Sequence, residues 1–244
     1  RPRCAAATPR VGGAVRVREF VDGAPVVRSL SQKGALPIHE GIAIVQCLVE
    51  ALVYAHGKGI IHRDSKPANL IVQKNGQVKV TDFGIAKMKE GAGGGGQTVL
   101  TKSGFLLGTP HYMSPEQIRE PKDAGARSDV YSSAVVLYEM LTGVLPFSSR
   151  SLPKLIDAVY RGDKPTPRSL RPDIDADLEA IVLRAMSANL NERYANAREF
   201  FEALEEYAAR PRLEQQVQPM DEAPTEPPVP LPKLEKEWHL VSRN

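Results

Sequence analysis

Apolar residues recur at helical spacing between residues 38 and 56, where Ile42, Val45 and Val49 follow one another three or four positions apart. Side chains at that spacing share one face of an α-helix. Gly57 follows the stretch, at the position where a glycine in the left-handed conformation commonly ends a helix. The pattern predicts a long helix whose apolar stripe packs in a core.

Two shorter apolar stretches, "NLIV" and "QVKVT", flank the dipeptide Asn75-Gly76. Asn-Gly between apolar stretches is the strongest short-range signal for a β-hairpin, because both residues accept the positive φ angles of a tight turn. An earlier stretch, "AVRVREFV", predicts a strand that stops at the Asp22-Gly23 turn signal. A small amount of sheet is therefore expected near the start of the chain.

Helical patterns continue through the second half of the sequence. The segment "SDVYSSAVVLYEMLTG", residues 128–143, opens with a Ser/Asp cap, closes on Gly143 and encloses an apolar run broad enough for a buried helix. Three further patterns lie near residues 151–161, 175–187 and 196–208. The sequence therefore predicts an α+β fold that is mainly helical.

Three segments lack apolar periodicity. Residues 1–14 are rich in Arg, Pro, Ala and Gly, residues 89–104 in Gly and hydroxyl side chains, and residues 211–244 in Pro and acidic side chains. Such compositions favour loops and linkers over packed elements. We predict an irregular N-terminal remnant at 1–14, one folded domain at 15–210 that contains a mobile loop, and a disordered or linker tail at 211–244.

Composition excludes several classes of protein. The 244 residues are 42% hydrophobic and 25% charged, as in ordinary globular proteins. A net charge of +3 with no polybasic run argues against a nucleic-acid partner. Two cysteines, Cys4 and Cys47, are too few for a disulfide framework or a zinc site.

Targeting signals are also missing from the sequence. No apolar run approaches the roughly 18 residues that span a bilayer, and the N-terminal residues lack the apolar centre of a signal peptide. We therefore expect no membrane segment in this chain and a cytoplasmic location. Because Arg1 is not a methionine, the chain is expected to be a processed product or a fragment.

The segment "HRDSKPAN" carries the groups that phosphoryl transfer requires. That reaction needs a base for the attacking hydroxyl, oxygens for magnesium and positive charge near the transferred phosphoryl group. Asp64 is a candidate base, Lys66 can reach the phosphoryl oxygens, and Asn69 offers an amide oxygen to the metal. Asp82 follows the second hairpin strand, and a hairpin returns its ends to each other, so Asp82 can share a metal site with Asn69.

These motifs resemble the Ser/Thr protein kinases, especially the eukaryotic-like kinases of bacteria. His62 to Asn69 match the family's H-R-D-x-K-P-x-N catalytic loop, and Asp82 begins its D-F-G motif. "GTPHYMSPE", residues 108–116, resembles the family's substrate-docking loop. The resemblance covers residues 15–210 and implies a protein kinase-like fold, mainly the helical C-terminal lobe. It also implies ATP and Mg²⁺ as cofactors and protein Ser/Thr hydroxyls as acceptors, an acceptor choice that Lys66 and Thr109 favour.

The resemblance implies further roles. "REFVDG" resembles the hinge that holds adenine through backbone groups near Glu19 and Val21, and Ile71 would lie under the adenine ring. Asp129 would brace the backbone of the catalytic loop, although a helix N-cap is an equal alternative for this residue. Glu116 would pair with Arg193, a contact that would stabilise the fold whether or not the chain is an active kinase.

Activation-loop hydroxyls lie between the D-F-G motif and the docking loop. Phosphorylation there orders a loop when a basic side chain binds the phosphate, and Arg63 is the expected partner. Thr98 and Thr101 are the candidate phosphosites, and solvated loop hydroxyls are the alternative for both. His62 is expected to be structural.

The N-terminal lobe of a kinase is largely missing from this sequence. A kinase needs a glycine-rich loop over the phosphates, a strand lysine and a helix glutamate. Gly12-Gly13 lacks the glycine spacing, no such lysine precedes the hinge, and Lys33 falls after it. Two interpretations follow: a fragment of an active kinase, inactive or weakly active in isolation, or an inactive kinase-like scaffold or peptide-docking module.

A third class, the small-molecule phosphotransferases, shares the catalytic and metal carboxylates, but such enzymes have no reason to carry the docking loop "GTPHYMSPE". We expect protein substrates as partners. A regulatory or membrane domain beyond Asn244 is also possible in the family that the chain resembles.

Overall fold

A computed structural model describes residues 21–83 and 110–210. Several predicted features therefore lie outside the described residues: the remnant at 1–14, the loop at 89–104 and the tail at 211–244. The same holds for four predicted site residues, which are Glu19, Thr98, Thr101 and Thr109.

The described residues contain one three-stranded antiparallel sheet with the order β1-β2-β3. Its strands are β1 (Gly23–Pro25), β2 (Leu70–Gln73) and β3 (Val78–Val80). The predicted hairpin joins β2 to β3, with Leu70 opposite Val80. At its turn Gly76 has a φ of 85°, and the Asn75 side-chain oxygen accepts a hydrogen bond from the Gln77 N–H.

The predicted strand "AVRVREFV" lies outside the described residues except for Val21, and Gly23 of the turn signal after it starts β1. Gly23 lies opposite Gln73 in the ladder with β2. A Cβ at this glycine would come within 2.6 Å of the Val72 carbonyl oxygen. The missing side chain thus lets the two backbones approach, a role of glycine in strands that resembles a turn signal in sequence.

Eight α-helices lie within the described residues, and short 3-10 turns occur at Pro67–Asn69, Pro110–Tyr112 and Pro121–Asp123. The five helices predicted from apolar spacing all form, whereas α1, α3 and α6 were not predicted. The eight are α1 (Val26–Lys33), α2 (Ile38–Gly57), α3 (Pro115–Arg119), α4 (Ala126–Thr142), α5 (Leu152–Arg161), α6 (Pro167–Leu170), α7 (Ala176–Ala185) and α8 (Ala197–Ala209).

The end of α2 differs from the prediction by two residues. Gly57 is still helical, and the left-handed glycine is Gly59, with a φ of 72°. The Gly59 N–H donates to the His56 carbonyl and the Ile60 N–H donates to the Ala55 carbonyl. These bonds satisfy the last carbonyls of the helix and direct the chain into the "HRDSKPAN" segment.

α4 begins two residues before the predicted Ser/Asp cap. Its N-cap is Gly125, whose N–H donates to the Ser128 hydroxyl at 3.2 Å, so the two residues thought to precede the helix lie in its first turn. The predicted end is correct, because Gly143 adopts the left-handed conformation with a φ of 74°. A Cβ on Gly143 would lie 2.8 Å from the Ala35 nitrogen.

α2 and α4 form the centre of the core, and α8 packs on α2. α2 is also long and apolar enough to cross a membrane by length and composition, with a mean hydropathy of 1.5 over 18 residues. The expectation that no segment meets that test is therefore wrong. In this fold, however, nine residues of α2 are buried: Gly41, Ile42, Ile44, Val45, Leu48, Val49, Ala51, Leu52 and Ala55.

Candidate active site

The "HRDSKPAN" segment runs from the end of α2 to the start of β2, at the junction of the helical core and the sheet. Among the described residues other than glycine, only Arg63 and Asp82 have positive φ, each at 66°. Such backbone conformations cost about 1–3 kcal/mol and persist where surrounding contacts hold them. Arg63 directly precedes Asp64, the predicted base, and Asp82 is itself a predicted metal ligand.

Asp64, Lys66 and Asn69 form one hydrogen-bonded group. Lys66 Nζ donates to both carboxylate oxygens of Asp64, at 2.9 and 2.7 Å. The Asn69 amide donates to the Asp64 carbonyl at 2.7 Å and to Asp64 Oδ2 at 3.1 Å. The 3-10 turn Pro67–Asn69 creates this proximity by folding Asn69 back over the loop. A base held in one orientation by two neighbours is suited to proton transfer.

The return strand brings Asp82 to the same region. The Thr81 N–H and hydroxyl both donate to the Asn69 carbonyl, at 2.9 and 3.2 Å. Asp82 follows directly and is half-buried. The negative charges of Asp64 and Asp82 both act on the ring of His62. The hairpin therefore brings residues 64, 69 and 82 into one neighbourhood.

The oxygens near this hairpin fit a hard divalent cation. Asn69 uses its amide nitrogen for the contacts to Asp64, which leaves its amide oxygen as an acceptor in a buried position. Carboxylate and amide oxygens are the donors that Mg²⁺ selects. Within residues 21–83 and 110–210 no three His, Cys, Asp or Glu side chains group closely enough to hold a metal.

Asp129, in the first turn of α4, binds the backbone of the loop. Its Oδ2 accepts the His62 N–H and its Oδ1 accepts the Arg63 N–H, both at 2.8 Å. The N-cap alternative does not apply, since Gly125 is the N-cap residue of α4. Asp129 is fully buried, so these bonds are shielded from water. The Gln117 side-chain amide completes the clamp by donating to the Arg63 carbonyl at 2.8 Å.

His62 links the loop to the return strand. Its Nδ1 accepts the Asp64 N–H at 3.2 Å, so the ring proton lies on Nε2, which donates to the Thr81 carbonyl at 3.0 Å. Burial lowers the pKa of His62 below its ordinary value, against the opposing charge of Asp129. The ring also contacts Phe83, with ring centroids 4.6 Å apart. His62 is therefore a neutral, structural histidine.

Glu116 and Arg193 form a buried ion pair between α3 and the segment before α8. Arg193 Nη1 lies 2.8 Å from Glu116 Oε1, and the Ser128 hydroxyl donates to the same oxygen at 2.6 Å. Burial alone would raise the pKa of Glu116, but the hydrogen bonds from Arg193 and Ser128 hold it below its usual value. Glu116 is therefore charged at neutral pH, and the pair joins distant parts of the chain.

The segment from Pro110 to Ser114, which belongs to the predicted docking loop and precedes α3, is attached to α4. The Tyr112 hydroxyl donates to Glu139 Oε2 at 2.6 Å, and the Ser132 hydroxyl donates to the Tyr112 carbonyl at 2.7 Å. Ser114 caps α3 by accepting the Gln117 N–H. Burial raises the pKa of the Tyr112 hydroxyl, so it stays protonated and can donate.

Sequence reasoning missed His56, Tyr112, Gln117 and Glu139 among the residues that support the site. Each is separated from its partner by many residues, from 27 between Tyr112 and Glu139 to 73 between His56 and Asp129. No local spacing signals such pairs. Of the predicted nucleotide-binding residues, Val21 precedes β1 and Ile71 lies half-buried on β2, which pairs with β1.

The protein kinase domain family matches residues 13–205. The chain belongs to this family. Among curated relatives, a probable serine/threonine-protein kinase PknB of Lactococcus lactis is 37% identical over 183 residues, which are 75% of this chain and 28% of the relative. The serine/threonine-protein kinase pkn3 of Myxococcus xanthus is 41% identical over 190 residues, covering 75% of this chain and 34% of that protein.

A solved structure gives a similar result. The crystal structure of Rad53 1-466 in complex with AMP-PNP matches with a TM-score of 0.61 and 28% identity, over 77% of this chain and 45% of that one. The chain spans about a third or less of the length of the curated relatives just described. Whether residues 1–20 hold any part of an N-terminal lobe lies outside the described residues.

Proposed function

We propose that this chain is the catalytic-loop part of a Ser/Thr protein kinase, which transfers the γ-phosphoryl group of ATP to a protein Ser or Thr hydroxyl. The observation that carries the proposal is the Asp64 carboxylate, held by Lys66 and Asn69 on a loop whose backbone is bound by Asp129. Family membership and the serine/threonine kinase names of the relatives support the same conclusion.

In this proposal Asp64 orients the acceptor hydroxyl and takes its proton as the hydroxyl oxygen bonds to the γ-phosphorus, while the bond from that phosphorus to ADP breaks. Lys66 Nζ lies 2.7 Å from Asp64 Oδ2 and offers positive charge beside the transferred group. Asn69 and Asp82 would hold Mg²⁺, which neutralises developing negative charge on the phosphate oxygens when bound.

ATP would lie against the sheet. Ile71 on β2 and the backbone near Val21, which enters β1, are the proposed nucleotide contacts among the described residues. The nucleotide in the Rad53 complex, AMP-PNP, supports ATP as the donor. Thr109 and the Pro110–Tyr112 turn that follows it would receive the protein substrate, since the turn is attached to α4 beside the catalytic loop.

The test joins this chain to the N-terminal lobe of the Lactococcus lactis relative, because the sequence ahead of the hinge-like segment lacks the glycine-rich loop and lysine of a kinase. The chimera is incubated with radiolabelled ATP, Mg²⁺ and a generic basic protein. We expect label on Ser and Thr of the substrate, and Asp64→Asn should abolish at least about 99% of it.

The matched control is Asp157→Asn, the same chemical change at an exposed residue of α5 that pairs with Arg161 on its own helix. This variant should keep full activity. A chimera that folds, binds ATP and transfers no label would overturn the proposal and favour the scaffold interpretation. The unfused chain is expected to show little activity in the same assay.

A further inference from the structure

His56 lies in the last turn of α2, outside every motif of the catalytic loop. Its Nε2 is 2.8 Å from Asp129 Oδ2, the same oxygen that accepts the His62 N–H. The other oxygen of Asp129 accepts the Arg63 N–H. The side chains of His56 and Asp129 are 13% and 1% exposed. One buried carboxylate therefore receives three hydrogen bonds, and only two come from the loop that it holds.

We propose that His56 is a positioning residue for the phosphoryl-transfer loop, because its Nε2–H holds the Asp129 carboxylate in the orientation that binds both backbone N–H groups. An aspartate side chain rotates broadly about its last torsion. Two donors from one loop can follow that rotation, whereas a donor fixed on another helix opposes it. The importance of the loop rests on the proposed function, but the positioning itself does not.

The loop needs such support because Arg63 has a φ of 66°. A non-glycine residue stays in this conformation only where its surroundings hold it. The Asp129 bond to the Arg63 N–H and the Gln117 bond to the Arg63 carbonyl lie on the two sides of this residue. A carboxylate that rotates would release the N–H side, and Asp64 is the next residue along the chain.

The chemistry of the contact also defines a rescue. An ionised carboxylate only accepts hydrogen bonds, so the His56 Nε2 must be the donor. A glutamine side chain at this position can present an amide N–H to the same oxygen, while leucine retains the bulk and cannot donate. His56→Gln should therefore preserve the positioning that His56→Leu removes.

Amide hydrogen exchange measured by NMR tests the proposal. In His56→Leu the amides of His62 and Arg63 should exchange faster than in the unmodified protein. Core amides of α2 report any general loss of stability, and the acceleration at His62 and Arg63 should exceed theirs by about tenfold or more. His56→Gln should recover most of this protection. The control is Tyr138→Phe, which removes a hydroxyl bond to the Pro165 carbonyl far from the loop and should change no loop amide selectively.

A second measurement uses the unmodified protein and does not depend on any variant folding. The ¹⁵N spectrum of the His56 ring should show a protonated Nε2 whose proton exchanges slowly with water. An unprotonated Nε2, or unchanged selective protection of His62 and Arg63 in His56→Leu, would overturn the proposal. Neither readout uses ATP, so failure of the proposed kinase activity and failure of this inference are separate results.

Discussion

Asp129 and Glu116 are both buried carboxylates beside the catalytic loop, but they bind different kinds of donor. Asp129 accepts hydrogen bonds from the backbone N–H groups of His62 and Arg63, whereas Glu116 accepts hydrogen bonds from the side chain of Arg193. A bond to the backbone constrains the conformation of the chain at that residue. A bond between side chains constrains the separation of two segments.

This difference predicts different consequences when each contact is lost. Removing one member of the Glu116 pair leaves a charge buried without compensation, which opposes folding of the whole domain. Weakening the Asp129 contacts leaves backbone donors unsatisfied next to Asp64, which changes the loop locally. Glu116 should therefore act mainly on the stability of the domain, and Asp129 mainly on the geometry of the site.

The largest effect on stability is expected for Arg193→Ala. The side chain of Arg193 is 0% exposed, and its removal should cost about 3–5 kcal/mol because Glu116 is left without its partner. Urea unfolding followed by circular dichroism measures the change. Arg161→Ala, which breaks an exposed pair with Asp157, is the control and should change stability little. If Arg193→Ala lowered stability no more than Arg161→Ala does, the Glu116 pair would not be a major contributor to the stability of the domain.

Asp129→Asn should lower stability less, by about 1–3 kcal/mol, because the amide can still accept one loop N–H but turns its own donors towards the others. Activity of the chimera with an N-terminal lobe should fall far more than the folded fraction does. Initial rates and unfolding curves on the same preparation separate the two effects. The comparison would fail if activity per folded molecule matched that of the unmodified chimera.

Tyr112→Phe tests the attachment of the docking segment. Loss of the 2.6 Å bond to Glu139 should cost about 0.5–1.5 kcal/mol. Because the segment is proposed to receive the substrate, the KM for a protein acceptor should rise while the KM for ATP stays the same. Tyr138→Phe removes a comparable hydroxyl bond elsewhere and should leave both values unchanged. Equal changes in both variants would argue against a role for the segment in docking.

The smallest effects near neutral pH should come from titration. The folded-state pKa of Glu116 is lowered, so its contribution to stability is present above the unfolded value of 4.5 and disappears as the pH falls through the folded value. The pKa of His62 is also lowered from 6.5, so protons favour the unfolded chain and stability begins to fall below pH 6.5.

Unfolding midpoints measured from pH 8 to pH 3 should therefore decline in two ranges. His62→Phe should remove much of the decline below pH 6.5, and Glu116→Gln should remove much of the decline below pH 4.5. A His62→Phe variant that retains the full first decline would show that other groups cause it. His111, whose pKa burial also lowers, is the next candidate.

Local patterns predicted the elements whose signals are short in sequence. Apolar patterns, with cap and glycine signals for α2 and α4, indicated α2, α4, α5, α7 and α8, and Asn75-Gly76 indicated the hairpin that brings Asp82 back to Asn69. Periodicity and turn chemistry depend on neighbouring residues, so they can be read from one sequence. The exact end of α2 could not be read from the sequence, because Gly57 and Gly59 are both glycines that could end the helix in the left-handed conformation.

The candidate chemistry was also predictable, because Asp64, Lys66 and Asn69 lie within six residues of one another and match a family motif. The family resemblance also predicted that Asp129 braces the loop, but the other partners in this support are seen only in the tertiary structure. The donors to Asp129 come from the end of α2 and from the loop, and the Gln117 amide comes from α3.

The sequence by itself therefore determined five of the eight described helices, the hairpin and the candidate reacting groups, since each is encoded by nearby residues. Only the tertiary structure decided that His56 meets Asp129 across 73 residues and that Arg63 adopts a positive φ. The reason is physical: a buried carboxylate must find donors wherever the packed fold brings them, and no local pattern records that choice.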